Sequence, residues 1–538
     1  MTDKHRIPQL TTGTFDFPGL VQDEECKYVD KTDLLYELAR PKMDAQYFIS
    51  RPRRFGKSLM LSTLKAMFEG RRELFKGLKL DDLPWECWDE KCRYPVLCFD
   101  MSKLAPSEGL PAMQETLRLM IDEKAAEFGC AVPGTPLLGF AFEELIQSVA
   151  RKSPNGKVVV LVDEYDTPVQ GFLDNPRELV KVNAFLHDFY KRLKINSCTI
   201  RFLMMTGVTK LTKLSVFSGL NHLTDLSMDP RFATLLGFTP KEFDGALREN
   251  VEALGTKLGQ DFKVTEKALL DWYDGYRFSP KSVEKVCNPV SVGNAFKTGD
   301  LRGWWVSTGG ATLVFNRIGQ TGKAPRDLEN VPATPAMLDV CDAETLPVEA
   351  LLYQSGYLTI RDVIPGTLEK SESYILAPPN REVREALREG YISRILGLDE
   401  DGFDTLLDHA RRQIADGDIR EVVETMLFSL YAAIPPDWRI KGETEAKRYF
   451  QLFFSMLGAD PAPEFPSARG YADAVVQRPD AVYVFEFKYR RSSKAAIRQI
   501  RDRGYADKWK GGPRPVTLVG VNFNPAKRNI DIPLIEPL

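Results

Sequence analysis

The stretch Tyr47-Phe-Ile-Ser-Arg-Pro-Arg-Arg-Phe-Gly-Lys-Ser-Leu-Met-Leu61 decides the fold of the N-terminal half. An apolar, β-prone run leads into a turn and then into a helix that opens on Gly56-Lys57-Ser58. Gly56 lets the backbone approach an anion, Lys57 can reach the terminal oxygens of a nucleotide, and Ser58 offers a hydroxyl to Mg²⁺. The helix N-terminus adds free N–H groups and the positive end of its dipole. The strict phosphate-loop pattern G-x-x-x-x-G-K-[ST] asks for a glycine where Arg51 stands, so support has to come from elsewhere in the chain. Arg53, Arg54 and Phe55 within the loop, and Leu59 just beyond it, are candidate nucleotide contacts.

That support lies at Lys157-Val-Val-Val-Leu-Val-Asp-Glu-Tyr-Asp166, an apolar strand ending in acids as a Walker B strand does. Asp163 would hold Mg²⁺, and Glu164 would position and polarise an attacking water. One further strand, Tyr94–Phe99, comes between the two motifs, and the next, 200–205, ends in Thr206, where a polar sensor residue would stand beside the terminal phosphate. Short apolar runs at Gln46–Ile49, Tyr94–Phe99, Val158–Val162 and Arg201–Met205 alternate with longer helical stretches, the pattern of a parallel α/β sheet. ATP and Mg²⁺ are the expected cofactors.

A second constellation occupies Gly470-Tyr-Ala-Asp-Ala-Val-Val-Gln-Arg-Pro-Asp-Ala-Val-Tyr-Val-Phe-Glu-Phe-Lys488. Arg478-Pro-Asp480 is a turn between two β-rich runs, and a hairpin symmetric about the bond between Pro479 and Asp480 sets Asp473 opposite Glu486. Alternation then places Lys488 on the same face. Two carboxylates so close repel unless a cation sits between them, which suits Mg²⁺, and a neighbouring lysine can orient a water or steady a pentavalent phosphate. Asp473 and Glu486 stand among apolar neighbours, where an unmatched acid pair would be costly. Gln499 and Glu445 are further candidates for the pocket. The segment pattern here is a helix over about 443–457, a loop, strands at 471–477 and 481–487, a helix at 493–509 and a final strand at 515–522.

The chain has 538 residues, with 72 Lys and Arg against 75 Asp and Glu, so no basic coat covers the whole. Locally the balance differs: residues 488–528 carry twelve Lys and Arg against Asp502 and Asp507, and include Tyr489, Tyr505 and Trp509, which could stack on bases. Nucleic acid is the expected anionic partner. No uncharged run is long enough to span a bilayer, and the N-terminus lacks the apolar core of a secretory signal, so the expected location is cytoplasmic, without membrane association. Eight cysteines are too sparse for a disulfide framework, and Cys87, Cys92 and Cys98 lack zinc-site spacing. The four histidines sit in no nucleophile-elbow or Cys/His context, which sets acyl chemistry aside.

These residues, with Tyr28-Val-Asp-Lys-Thr, Trp272-Tyr-Asp-Gly-Tyr-Arg-Phe, Asn288-Pro-Val-Ser and Leu352-Tyr-Gln-Ser-Gly-Tyr-Leu, make the chain resemble bacterial AAA-ATPase-like proteins with a C-terminal PD-(D/E)XK nuclease-superfamily domain. The resemblance implies an α/β multidomain protein. A P-loop NTPase parallel sheet would fill 1–240, a helical lid or winged-helix-like region 241–350, a helical linker 351–430, and a nuclease-like α/β domain 431–538. It implies that Arg51 is normal at its position, that Lys57, Ser58, Asp163 and Glu164 carry the nucleotide roles, and that Asp473, Glu486 and Lys488 carry the nuclease roles. At Gly470-Tyr-Ala-Asp the family more often has Gly-Arg-x-Asp, so a basic contact is lost. The expected function is ATP binding and hydrolysis coupled to Mg²⁺-dependent cleavage of nucleic acid, DNA in preference to RNA, in defence against foreign DNA or in mobile-element biology. The alternative is an ATP-switched nucleic-acid- or protein-binding regulator that does not cleave. No arginine finger can be assigned; one, if used, would come from a neighbouring subunit of a homo-oligomer.

Overall fold

In a computed structural model the structure describes residues 7–210 and 223–305 apart from 14–15, 42–44, 105 and 174; 325–396 apart from 340–346 and 368–370; short pieces within 314–318 and 408–450; and 462–538 apart from 468–469 and 528. Two compact units emerge, one of Met1–Gly309 with Leu328–Arg384 and the other of Gly310–Asp327 with Glu385–Leu538.

The first unit is built on a parallel sheet. Its strands are β1 (Gln46–Ser50), β2 (Val96–Asp100), β3 (Val158–Asp163), β4 (Ile200–Gly207) and β5 (Thr224–Asp225), in the order β2-β3-β4-β1-β5. β4 therefore lies between the strand that enters the Gly56 loop and the strand that ends in Asp163, with Thr206 beside Ile49 in register. Parallel strands need crossovers, and helices supply them: α1 (Lys57–Phe68), α2 (Gly109–Glu127), α3 (Leu138–Lys152) and α4 (Pro176–Ile195). Val158, Val160 and Val162 bury their side chains with residues of α2, α3 and α4, where Phe142 stacks on Phe189 at 4.2 Å. The alternate residue Phe202 meets Phe68 of α1 at 4.9 Å. Both faces of the sheet are covered, which is why its strands read as continuous apolar runs.

Helices α5 (Arg248–Leu258), α6 (Phe262–Tyr273) and α7 (Pro289–Thr298) share a core with Leu10 and Val29. A three-stranded antiparallel sheet follows, formed by β6 (Val331–Ala333), β7 (Thr359–Ile364) and β8 (Ser373–Ala377), with α8 (Val348–Ser355) before β7. The expected helical linker over 351–430 is corrected here: its first part carries β7 and β8 and belongs to the N-terminal unit up to Arg384. Ser373–Ala377 is a short β-prone run that the surrounding helical pattern conceals.

In the second unit a mixed sheet runs β13-β12-β11-β10-β9, with β14 on β12. Its strands are β9 (Ala462–Ser467), β10 (Gly470–Gln477), β11 (Val482–Tyr489), β12 (Val516–Asn524), β13 (Asn529–Ile530) and β14 (Leu534–Pro537), and α9 (Ser493–Arg503) is the crossover between parallel β11 and β12. The hairpin register matches the expected one, with Ala474 facing Phe485 and Gln477 facing Val482. One element boundary differs from expectation, and three strands are added to it. The helix stops at Arg503 because Gly504 turns left-handed (φ 61°). Two short strands follow β12. The stretch expected as a loop holds β9, whose Pro463 and Pro466 disguise it; an edge strand is where prolines are tolerated. The expected helix at 443–457 lies, apart from Phe450, outside the described residues. Among the described residues no helix is long and apolar enough to cross a membrane.

Candidate functional site

At the carboxyl end of β1 the chain turns through Arg54 (φ 69°) and Gly56 (φ 90°) into α1. A Cβ at residue 56 would meet no atom, so the glycine is required by its backbone angle rather than by crowding. Lys57, 4% exposed, folds back over the loop and donates to the carbonyls of Arg51 (3.2 Å) and Pro52 (3.3 Å), with the Glu164 carboxylate 3.5 Å away. Ser58 Oγ donates to Asp163 Oδ2 at 2.5 Å, and the hydroxyl of Thr206 donates to Asp163 Oδ1. Lys57, Ser58, Asp163, Glu164 and Thr206 are thus brought together at the end of the sheet where α/β proteins hold ligands. Thr206 is fully buried and braces Asp163.

Glu164 has a left-handed backbone (φ 50°), an uncommon conformation for a residue with a side chain. Burial pushes its carboxyl above the ordinary value of 4.5; Lys57 opposes the shift and the carboxylates of Asp166 and Asp163 add to it. Arg51, at the position where a phosphate loop has its first glycine, turns its guanidinium inward. It donates to Ser50 O (2.9 Å) and Ser227 O (2.8 Å) and lies 4.1 Å from the centre of the Phe278 ring. Burial lowers its pKa to about 10. The side chain therefore bolts the loop to the core and leaves the loop's mouth clear.

Of the flanking candidates, Arg53 bonds Gln170 at 3.1 Å. Phe55 is 1% exposed and packs edge-on against Tyr276 and Phe278, so its side chain anchors the loop and offers a ligand only a wall and a backbone N–H. A mainly apolar cavity adjoins Gly56 and the first turn of α1. Leu59, Met60, Val29, Leu236 and Phe238 line it, with Lys31 among its polar groups. Sequence reasoning missed Asp166, which is fully buried and accepts from Thr209 N (2.7 Å), Thr209 Oγ1 (2.6 Å) and Val208 N (3.2 Å). Its signal was the acid two residues past Glu164.

In the C-terminal sheet, the pairing of β10 with β11 runs from Gln477–Val482 to Ala474–Phe485. Beyond it, the side chains of Asp473 and Lys488 take the polar groups of the Phe487 peptide. Phe487 N donates to Asp473 Oδ2 (2.8 Å), and Lys488 Nζ donates to Phe487 O (2.9 Å) and to Glu486 Oε1 (2.6 Å). Asp473, Glu486 and Lys488 are 6%, 1% and 4% exposed. The carboxylates of Asp473 and Glu486 are hard oxygen donors of the kind Mg²⁺ accepts, because that ion is commonly held by one or two carboxylates and completed by water and substrate phosphate, while the Lys488 ammonium stands beside them as a hydrogen-bond donor. Among the described residues no group of three or more His, Cys, Asp or Glu gathers.

Gln499 bonds Tyr505 OH at 3.3 Å, and Glu445 lies outside the described residues. The expected base-stacking role of Tyr505 is corrected: it is 5% exposed and part of the sheet's core, against which Trp509 also packs. Tyr471, two residues before Asp473 on β10, is 63% exposed. Part of the basic run is spent internally, as Arg501 pairs Glu536 (2.6 Å) and Lys527 pairs Asp531 (2.9 Å), while Lys494, Arg498 and Lys510 face solvent.

Residues 11–217 match the family model described as "Predicted AAA-ATPase", and residues 441–532 match that of the PD-(D/E)XK nuclease superfamily. A protein of Azotobacter chroococcum mcd 1, described as "Uncharacterized protein in vnfD 5'region", is 32% identical over 546 residues, covering 98% of this chain and 99% of that one. The chain belongs to this AAA-ATPase-like family. In this chain the AAA-ATPase-like domain is followed by a C-terminal PD-(D/E)XK domain, and the two constellations fall one in each matched segment.

Proposed function

We propose that the chain binds and hydrolyses ATP at the Lys57–Asp163 end of the parallel sheet and cleaves nucleic acid, with Mg²⁺, at Asp473, Glu486 and Lys488. The gathering of those last three buried side chains around Phe487, with Asp473 on its N–H and Lys488 joining its carbonyl to Glu486, is the observation that supports cleavage most directly. Burying an ammonium and two carboxylates is costly for a hairpin that needs only to fold. A bound divalent ion would supply Lewis-acid polarisation of the scissile phosphate. Asp473 and Glu486 would hold it, and Lys488 would orient the attacking water or meet the charge that develops on phosphate.

In the N-terminal unit, Lys57 would leave its carbonyl partners for the terminal phosphates, and Ser58 with Asp163 would hold a Mg²⁺ ion, which would offset the phosphates' negative charge. Glu164 would accept a proton from the attacking water, and Thr206 would keep Asp163 in place. The apolar cavity beside Leu59 and Met60 suits the base. The exposed cations of α9 and Lys510 favour a polyanionic partner, DNA in our reading, with the protein resident in the cytoplasm.

The test is incubation of the wild-type chain and Asp473→Ala with labelled DNA and RNA, with and without ATP and Mg²⁺. Cleavage that needs Mg²⁺ and disappears in Asp473→Ala is expected. Nucleic-acid binding without cleavage in either protein would favour the non-cleaving regulator instead.

A further inference from the structure

Asp163 is held at two depths. Its oxygens take the hydroxyls of Ser58 and Thr206, and Thr206 in turn begins a segment in which every residue is fastened. Thr206 O accepts from Tyr165 N at 3.0 Å, and Gly207 O accepts from Arg51 N at 3.0 Å. The Asp166 carboxylate takes the N–H groups of Val208 and Thr209, and Tyr165 OH donates to Thr209 O at 2.8 Å. Lys210 closes the segment, 3% exposed, with its backbone N–H on Gln354 Oε1 (2.8 Å) and its ammonium between Asp225 (2.9 Å) and Asp339 (2.7 Å).

Gln354 belongs to α8, is 5% exposed, and donates its amide to Leu338 O at 3.1 Å. The next turn of the same segment touches the other nucleotide-facing loop. Gly356, with φ 90°, sits so close to Pro52 that a Cβ there would lie 2.6 Å from Pro52 Cγ. Its close approach and its backbone angle both require glycine. The end of α8 therefore abuts the Gly56 loop on one side and the Thr206–Lys210 segment on the other, and these two are the elements that carry Lys57 and brace Asp163.

We propose that Lys210 and Gln354 are positioning residues for Asp163: they hold the Thr206–Lys210 segment against α8 and so fix the Thr206 hydroxyl on the carboxylate. Neither touches nucleotide. The proposal rests on reading Asp163 as a holder of Mg²⁺–nucleotide. Two carboxylates on one buried ammonium are more than simple neutralisation needs, and one of them, Asp339, is 54% exposed. The pair of carboxylates comes from two different elements, β5 and the end of the Pro335–Leu338 helix, and so ties the segment to both.

ATP affinity is measured with Mg²⁺ and with chelator, and hydrolysis is followed as kcat and KM, in the full-length chain and in Gln354→Ala, Lys210→Met and Asp339→Asn. Asp339→Asn keeps the shape of the half-exposed partner and serves if Lys210→Met fails to fold. Metal-free ATP affinity at the wild-type level is expected, with the gain from Mg²⁺ reduced, KM for Mg²⁺–ATP raised by the same loss of affinity, and kcat lowered about tenfold to a hundredfold, as for a misplaced catalytic group. Unchanged Mg²⁺ dependence and kcat in Gln354→Ala would overturn the proposal, as would an equal loss of metal-free and Mg²⁺-dependent affinity. A wild-type chain that binds no ATP would remove the nucleotide reading, and the proposal with it, and is distinguished from those results by the absence of any starting affinity.

Discussion

Glu164 combines a left-handed backbone with a carboxyl that burial holds above its ordinary value, 3.5 Å from Lys57. A base must be ionised to accept a proton, so its activity is lost as pH falls through its pKa. Because that pKa is raised, the acid limb of the hydrolysis profile should stand above 4.5. Glu164→Gln should abolish hydrolysis while leaving ATP binding in place, read by titration and a phosphate-release assay. A variant that hydrolyses with the wild-type profile would remove Glu164 from the reaction. At this scale the sequence was most informative about residues whose chemistry is local. Gly56-Lys57-Ser58 and Asp163-Glu164 announce themselves by spacing. The inward turn of Arg51 onto Ser227 and Phe278 depends on contacts more than 170 positions away and leaves no local trace.

β11 is the central strand of the C-terminal sheet and is buried along nearly its whole length, which makes its charged end costly. Lys488 bonded to Glu486 at 2.6 Å compensates a carboxylate only 1% exposed. Removing one member leaves the other charge buried, so Lys488→Met should destabilise the chain by about 3–5 kcal/mol. The double variant Glu486→Gln, Lys488→Met should recover much of that loss while remaining inactive. Chemical denaturation checks both; a double variant as unstable as the single one would show that the pair is not the source. The hairpin register was legible because a tight turn centred between Pro479 and Asp480, where Arg478 N donates to Ala481 O at 2.8 Å, leaves little choice between two apolar runs, and a slip by one would turn every side chain to the other face. β9 was not legible, since its prolines argue against a strand and only its place at the sheet edge admits them.

At the scale of the whole molecule, a net charge of −3 conceals two specialised ends, each in its own compact unit and each with a buried lysine among acids. The alternation of strands and helices made the parallel sheet readable. The antiparallel sheet of β6, β7 and β8 was not, because its strands are short and its pairing joins Val331–Ala333 to a strand some forty residues later. If the two ends work together, a change at one should alter the response of the other and leave its chemistry standing. The most direct measurement is ATP affinity together with the ATP dependence of DNA cleavage in Lys57→Ala. The point charge facing the phosphates is gone in that variant, so ATP binding should weaken beyond detection, and Mg²⁺-dependent cleavage should persist but no longer respond to ATP. Wild-type ATP affinity in Lys57→Ala, or cleavage that still responds to ATP, would contradict the account.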